Sequence, residues 1–288
     1  MQRLRAITYL SPGLPLGLFQ GLSGLLGDFL GLEVELLSET SISGPMEGDH
    51  DPFLAGEVDL GFVCSPSYLY LCSKDEPSVT LAPAGFAFDH PSAEGRPVYF
   101  ADVVVSQASE VRRIEDVRGG RWGFNDRCSL SGHFAIQQFL QEAGEEVEAF
   151  FGSEVHTGCH QESVLAILEG RIEAASVDST TLAILRRHDP EVAAGLRVIH
   201  SLGPFPIQPI VLSRHLDPAW SHAIGAALQQ LHLAPRFEDL RCAYGLTELV
   251  PIQHANYAEE HAALSSLGQL PPVVDTACES VVRSLYPG

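Results

Sequence analysis

The chain has 288 residues, of which 45% are hydrophobic and 19% are charged, and these proportions are typical of a folded globular protein with about two domains. Its formal net charge is -20. Without a basic stripe, this charge argues against nucleic acid or an anionic membrane as a partner, because phosphates and lipid head groups would meet no cations. No apolar run approaches the ~20 residues of a transmembrane helix, so we expect no direct insertion into a membrane.

The N-terminal segment is rich in glycine and leucine as far as Gly31, but a secretory signal peptide needs an uninterrupted apolar core. Here Ser11, Pro12 and Pro15 interrupt that core. The sequence as it stands therefore predicts a cytoplasmic protein, or a periplasmic or cell-surface protein if an export signal was removed or lies upstream. The cysteines form no CxxC pair, so we expect neither a zinc ribbon nor a disulfide framework, and no metal or cofactor.

Short apolar runs alternate with amphipathic stretches along most of the chain, a pattern typical of an α/β protein with mostly parallel sheets flanked by helices. The predicted strands are residues 5–10, 33–38, 59–64, 79–84, 97–106, 121–125, 154–158, 174–179, 197–202 and 207–213. The predicted helices are residues 15–30, 131–144, 161–170, 179–188 and 217–232. Two long segments, residues 97–106 and 202–213, are predicted to connect the middle block of the chain to the rest.

The middle block contains the stretch "RWGFNDRCSLSGH", a short apolar strand followed by a donor-rich helix start at Ser129, Ser131, Gly132 and His133. The first N–H groups of a helix lack intrahelical partners, and the helix dipole adds positive potential there. Two hydroxyls and a glycine at this position favour binding of an oxyanion without any lysine or arginine. The alternative is that Ser129 is an ordinary N-cap and that nothing binds.

Four motifs of this block follow one another in a characteristic order: "IEDVRGG", "SLSG", "TGCHQES" and "GRIEAASVDS". Together they resemble the phosphonate-binding family of periplasmic solute receptors, although Glu173 stands where that family usually has aspartate. The resemblance implies the type II periplasmic-binding-protein fold, with two α/β lobes, each a central sheet flanked by helices, joined by two hinge crossings. Lobe I would comprise residues 1–102 plus 207–288, and lobe II residues 103–206.

The same resemblance implies a function. A monomeric, non-catalytic solute-binding protein would capture a small oxyanion such as phosphonate, phosphite or phosphate in the cleft between its lobes. It would act as the receptor of an ABC-type importer, with the membrane subunits of the transporter as partners, or as a sensor.

The resemblance also indicates ligand-binding residues outside the helix start. His160 matches the family histidine that reaches the anion, and Tyr99 matches a tyrosine at the first crossing. Asp178 lies near positions that meet an organic substituent, and it is equally the N-cap of the following helix. Ligands bind beyond the carboxyl ends of strands in α/β sheets. Candidates that follow early strands, each also suited to a turn, are Tyr9, Ser11, Ser41, Ser65 and Tyr68.

Catalytic alternatives remain open because cytoplasmic enzymes of menaquinone and thiamine-pyrimidine pathways use the same two-lobed fold. An enzyme needs a titratable pair around one ligand atom, and the sequence supplies donors more clearly than such a pair, so we predict no catalytic residue. Cys128 and Cys159 adjoin the helix starts, but neighbours in sequence seldom make a thiolate–base pair. The stretch from His156 to His160 is a weak metal motif, because its side chains do not converge.

Overall fold

The structure is a computed structural model that describes residues 3–10 and 13–270. The predicted site residue Ser11 and the end of the predicted lobe I segment, residues 271–288, lie outside the described residues. The strands are β1 (Arg3–Thr8), β2 (Glu33–Ser38), β3 (Leu60–Phe62), β4 (Val79–Leu81), β5 (Gly85–Phe88), β6 (Val98–Ser106), β7 (Arg121–Phe124), β8 (Ser153–His156), β9 (Ala174–Asp178), β10 (Leu196–Pro206), β11 (Ile210–Ser213) and β12 (Leu246–Val250).

Helices alternate with these strands over most of the described chain. They are α1 (Leu16–Leu30), α2 (Ser65–Ser73), α3 (Ala135–Glu142), α4 (Val147–Phe150), α5 (His160–Leu168), α6 (Ser179–His188), α7 (Pro190–Ala194), α8 (Pro218–Leu228), α9 (Phe237–Tyr244) and α10 (Ala258–Ser266). The predicted α/β class is therefore confirmed, and every strand predicted from the sequence corresponds to a strand of the structure.

The described chain divides into two compact units. The first unit contains residues 3–10, 15–98 and 206–270, and the second contains residues 13–14 and 99–205. The lobes expected from the sequence, with the cleft between them, stay a prediction.

The first unit is built on a five-stranded sheet of order β2-β1-β3-β11-β4 within the described residues. Strand β1 pairs in parallel with β2 and β3, whereas β11 runs antiparallel to β3 and β4. The sheet is thus mixed. Its antiparallel strand β11 lies in residues 206–270, the last segment of the chain that contributes to this unit. Helix α1 covers it with buried residues Leu18, Phe19, Leu22, Leu25 and Leu26, spaced at helical intervals.

The second unit has a five-stranded sheet of order β10-β6-β9-β7-β8 in the described chain. Strand β7 pairs in parallel with β8 and β9, while β6 runs antiparallel to β9. Trp122 of β7 is fully buried and stacks on Phe151 with 4.6 Å between ring centroids. Since β7, β8 and β9 are parallel, their carboxyl ends meet at one edge of the sheet, and the segments that follow them build the site described below.

No helix in the described part of the chain combines the length and the apolar character that a membrane span requires.

Candidate functional site

The first element of the site is the helical start that follows β7. Residues Leu130–Phe134 form a π-helical turn that continues directly into α3. Ser129 precedes it with extended backbone, and its Oγ accepts the backbone N–H of Gly132 at 3.1 Å. Ser129 is therefore the N-cap of this helix, which was the alternative to a ligand-binding role. The cap leaves Ser131 in the first turn, where the backbone N–H lacks an intrahelical acceptor.

The second element is His160, which begins helix α5. Its Nε2 lies 3.3 Å from Oγ of Ser131, so the two predicted site residues meet although they are 29 positions apart. Both side chains are buried, with relative exposures of 5% and 3%. The start of α5 therefore brings an imidazole to the start of α3.

The turn before α5 is tied to the carboxyl end of β7. Thr157 donates both its backbone N–H and its hydroxyl to the carbonyl oxygen of Phe124, at 2.8 and 3.0 Å. Gly158 then takes a φ of +90°, a conformation that favours glycine. Cys159 caps α5, since its Sγ accepts the N–H of Glu162 at 3.4 Å. This thiol is partly exposed, and its contact with the N–H of Glu162 is that of a helix cap.

His160 is uncharged at neutral pH, because complete burial lowers the pKa of its imidazole to about 4. Its Nδ1 is buried and has no hydrogen-bond partner among the described residues. In a serine hydrolase triad, this second nitrogen donates to a carboxylate that orients the ring. The Ser131–His160 pair lacks that third group within the described chain, so its chemistry is that of neutral hydrogen bonding.

Asn125 is a buried polar residue at this helix start that the sequence-based prediction did not include. It directly follows β7, is only 7% exposed, and its Oδ1 has no partner among the described residues. This oxygen lies against Gly132 so closely that a Cβ on Gly132 would overlap it, and that Cβ would also lie 3.2 Å from Oγ of Ser129. Its position directly after a strand could have identified it, because ligands of α/β sheets bind beyond the carboxyl ends of strands. The same criterion selected the candidates that follow the early strands.

His133 is held by its own helix. Gln137 donates its amide N–H to Nε2 of His133 at 3.0 Å, and the imidazole packs against Phe124 with 5.3 Å between ring centroids. Burial, with a smaller effect of the Arg127 charge, lowers the pKa of His133 to about 4. The two imidazoles therefore have separate partners, Gln137 for His133 and Ser131 for His160.

Asp178 ends β9 and caps helix α6. Its Oδ1 accepts the backbone N–H groups of Thr180 and Thr181 at 2.6 and 3.3 Å, and the carboxylate is buried. The capping role that the sequence left open is thus present. Tyr99, the other candidate on a strand of this unit, is 1% exposed and its ring lies 6.2 Å from that of Phe205.

Replacing Asp178 by Ala should lower the free energy of unfolding by roughly 1 to 2 kcal/mol, the usual effect of deleting an N-cap. It should leave oxyanion affinity within about twofold of wild type, because the carboxylate already serves two backbone donors. Chemical denaturation and calorimetric titration measure the two effects. Asp189→Ala is the matched control, since Asp189 caps the exposed helix α7 through Val192. Loss of affinity at unchanged stability would instead make Asp178 a ligand residue.

The first unit holds the remaining described candidates. Tyr9 is buried beyond the end of β1, and the Ser41 hydroxyl donates to the carboxylate of Glu39 at 2.6 Å. Ser65 and Tyr68 lie in α2 rather than in a strand-end turn, and both are fully buried. Tyr68 shares a hydrogen bond of 2.7 Å between its hydroxyl and Nδ1 of His254.

A buried carboxyl group lies beside these α2 residues. Glu260 of α10 is 5% exposed, and neither of its oxygens has a hydrogen-bond partner within the described residues. Burial raises the pKa of Glu260 to about 8, and the nearby Ser65 hydroxyl acts in the opposite direction with a smaller effect. Glu260 is therefore largely protonated at neutral pH.

In the described part of the chain, no group of three or more histidine, cysteine, aspartate or glutamate side chains is arranged to hold a metal ion. The side chains of the weak metal motif from His156 to His160 point to different surroundings. His156 lies exposed at the end of β8, Cys159 caps α5, and His160 is directed to Ser131.

The two α/β units, with polar side chains gathered at the carboxyl edge of the second sheet, have the two-lobed fold seen in solved structures of binding proteins. Residues 18–257 match a family described as ABC transporter, phosphonate, periplasmic substrate-binding protein. The match spans most of the chain, and the chain belongs to this family.

Solved structures share the fold at low sequence identity. A binding-protein component of an ABC phosphonate transporter from Pseudomonas aeruginosa has a TM-score of 0.76 and 12% identity, over 98% of this chain and 94% of that one. PhnD1 from Prochlorococcus marinus, in complex with methylphosphonate, also has a TM-score of 0.76, with 13% identity over 93% of this chain and 99% of that one. The periplasmic aliphatic sulphonate binding protein SsuA from Escherichia coli has a TM-score of 0.60, with 14% identity over 96% of this chain and 90% of that one.

Family membership sets the general role of the chain. The family consists of periplasmic substrate-binding components of ABC transporters, which pair with membrane subunits, and it is not a family of enzymes. A cytoplasmic location, which we predicted for the sequence as it stands, is not supported by this family. The periplasmic alternative is the one that agrees with it.

Proposed function

We propose that the chain captures a small tetrahedral oxyanion of the phosphonate, phosphite or phosphate class at the starts of α3 and α5, without transforming it. The observation that carries the proposal is the 3.3 Å contact between Oγ of Ser131 and Nε2 of His160. Two buried groups able to donate hydrogen bonds converge there beside a helix N-terminus. An anion that enters between or beside them meets donors on both sides.

The electrostatics of this site favour an anion held by neutral donors. The dipole of α3, extended by the π-helical turn, places partial positive charge at Ser131. Both site imidazoles are uncharged, so the hydrogen bonds come from a hydroxyl, backbone N–H groups and neutral rings. Hydrogen bonds to a charged partner contribute roughly 1.5 to 3 kcal/mol each. The overall charge of -20 does not oppose binding strongly, because exposed charges beyond about 8 Å are largely screened at physiological salt.

The partner and the assembly state follow from the same proposal. As the receptor of an importer, the chain would present its ligand to the membrane subunits of an ABC transporter, and it would act as a monomer. Tyr99 and the candidates of the first unit stay predicted contributors to oxyanion binding, whereas Asp178 stays predicted only to meet an organic substituent of the ligand.

A thermal-shift screen against methylphosphonate, phosphite, phosphate and sulfate tests the proposal. A ligand at 100 times its dissociation constant adds about 2.7 kcal/mol of stability, so at least one phosphorus oxyanion should raise the unfolding midpoint clearly. The variant Ser131→Ala with His160→Ala should abolish that shift while remaining folded.

The matched control is Ser153→Ala with His188→Ala, which removes the same two side-chain types from exposed positions at the start of β8 and the end of α6. It should keep the ligand-induced shift of the wild type. Absence of any shift with all phosphorus oxyanions would contradict the proposal, and turnover of a small metabolite that disappears in the Ser131/His160 variant would favour an enzyme.

A further inference from the structure

The site contains a buried hydrogen-bond acceptor as well as donors. Oδ1 of Asn125 is an amide oxygen, which can only accept, and it lacks a partner among the described residues. It lies against Gly132, at the same helix start that carries Ser129 and Ser131. Buried polar atoms of folded proteins nearly always have a partner, so this oxygen calls for a donor from a ligand or an ordered water.

A fully ionised oxyanion cannot supply that donor. Sulfonate and sulfate oxygens are all acceptors near neutral pH, and one of them facing Oδ1 of Asn125 would be repelled. A phosphonate or phosphate near neutral pH retains a proton on part of its population, because its last ionisation falls close to that range. Its P–OH group can donate to Asn125 while its remaining oxygens accept from the first-turn N–H groups and from Ser131 or His160.

We propose that Asn125 is a specificity-determining residue, whose Oδ1 accepts a hydrogen bond from the P–OH group of a singly protonated phosphorus oxyanion and thereby disfavours sulfonates of the same shape. The inference rests on the oxyanion site proposed above. Structures of this fold include binders of both phosphonates and sulphonates, so the fold alone does not decide between them.

Other ionisable groups near Asn125 could also make binding depend on pH. They are Asp126, Arg127 and Cys128 on its own turn, His133 at the helix start that follows, Cys159 and His160 at the start of α5, and His156 and Asp178 at the ends of β8 and β9. At pH 6 both ligands carry about one negative charge and meet the same protein groups, so the ratio of their dissociation constants largely cancels these contributions. What differs between the two ligands at pH 6 is the proton, whereas at pH 9 the phosphonate also carries a second negative charge.

Isothermal titration calorimetry with methylphosphonate and methanesulfonate at pH 6 and pH 9 is the test. For the wild type we expect methylphosphonate to bind about 10- to 100-fold more tightly at pH 6, the range of one hydrogen bond involving a charged partner. The ratio should shrink at pH 9, where the phosphonate has lost its second proton. Inorganic phosphate and sulfate form a second pair that shows whether the organic substituent matters.

The variant Asn125→Ala should bring the ratio at pH 6 close to one, whereas Gln138→Ala, which removes an amide that bonds Glu142 on α3, should keep the wild-type ratio. Equal binding of the two ligands by the wild type, or a ratio independent of pH, would overturn the inference while leaving the oxyanion site intact. Failure of both ligands and of phosphate to bind would instead overturn the site itself. If Asn125→Ala does not fold, the wild-type ratios decide alone.

Discussion

Replacing Glu260 by Gln is expected to stabilise the protein on the order of 4 kcal/mol at pH 9 and to have little effect at pH 4. The wild-type carboxyl group is buried without a hydrogen-bond partner among the described residues, and its pKa is raised to about 8 from 4.5. Each unit of difference between folded and unfolded pKa corresponds to about 1.4 kcal/mol. The neutral amide of glutamine has a similar shape and never has to ionise.

The direction follows from proton binding in the two states. Between about pH 4.5 and pH 8 the unfolded chain has released this proton and the folded chain still holds it. The stabilising contribution of Glu260 is therefore fully present below the unfolded-state pKa of 4.5, and it is lost as the pH rises through the folded-state pKa of about 8. The wild type should accordingly lose stability across this window, and Glu260→Gln should lose less.

Urea denaturation at pH 4, 7 and 9 measures the effect. The matched control is Glu259→Gln, because Glu259 is the exposed neighbour on the same helix, and its stability should follow that of the wild type at every pH. Parallel pH profiles for Glu260→Gln and the wild type would show that the carboxyl ionises normally, and would contradict its burial in the first unit.

Substituting Gly132 by Ala is expected to weaken oxyanion binding by more than about 100-fold, the combined effect of several hydrogen bonds to an anion. A Cβ at this position overlaps Oδ1 of Asn125 and lies 3.2 Å from Oγ of Ser129. The side-chain amide of Asn125 must therefore move, and the hydroxyl of the N-cap Ser129 is displaced as well, which disturbs the helix start. Overpacking of this kind also destabilises by typically 1 to 3 kcal/mol.

The comparison variant is Gly24→Ala, on the exposed face of α1, where an added Cβ meets no atom within 4 Å. Alanine in a helix interior is more favourable than glycine by up to about 1 kcal/mol, so this variant should be as stable as the wild type or more so, with unchanged affinity. Calorimetric titration with methylphosphonate measures both variants. Wild-type affinity in Gly132→Ala would show that the ligand does not approach this helix start closely.

The sequence predicted those elements whose apolar residues form a period. Helix α1 shows a stripe of buried leucines, and β1, β2 and β7 stand between clear turn signals. Helix α2 was missed because seven of its nine residues are buried, serines among them, so its sequence shows no apolar stripe facing a polar one. Strand β5 is buried, short and close to β4 in sequence. For this reason the sequence-based prediction placed its residues in a loop.

Individual site residues were predictable, whereas their contacts were not. Ser131 and His160 were each indicated by a motif, but their meeting depends on the parallel pairing of β7 with β8 and on the tie between Thr157 and Phe124. The burial of Asn125 and Glu260 arises from packing of segments distant in sequence. A single polar residue carries no periodic signal of such burial, so neither was distinguished from an ordinary turn or surface residue.

A crystal structure of the protein with methylphosphonate is the most direct test of the central claim. The account predicts phosphonate oxygens at the start of α3, within about 3 Å of Oγ of Ser131 and of a ring nitrogen of His160, with one oxygen facing Oδ1 of Asn125. Methylphosphonate bound elsewhere, with Ser131 and His160 still paired only to each other, would contradict it.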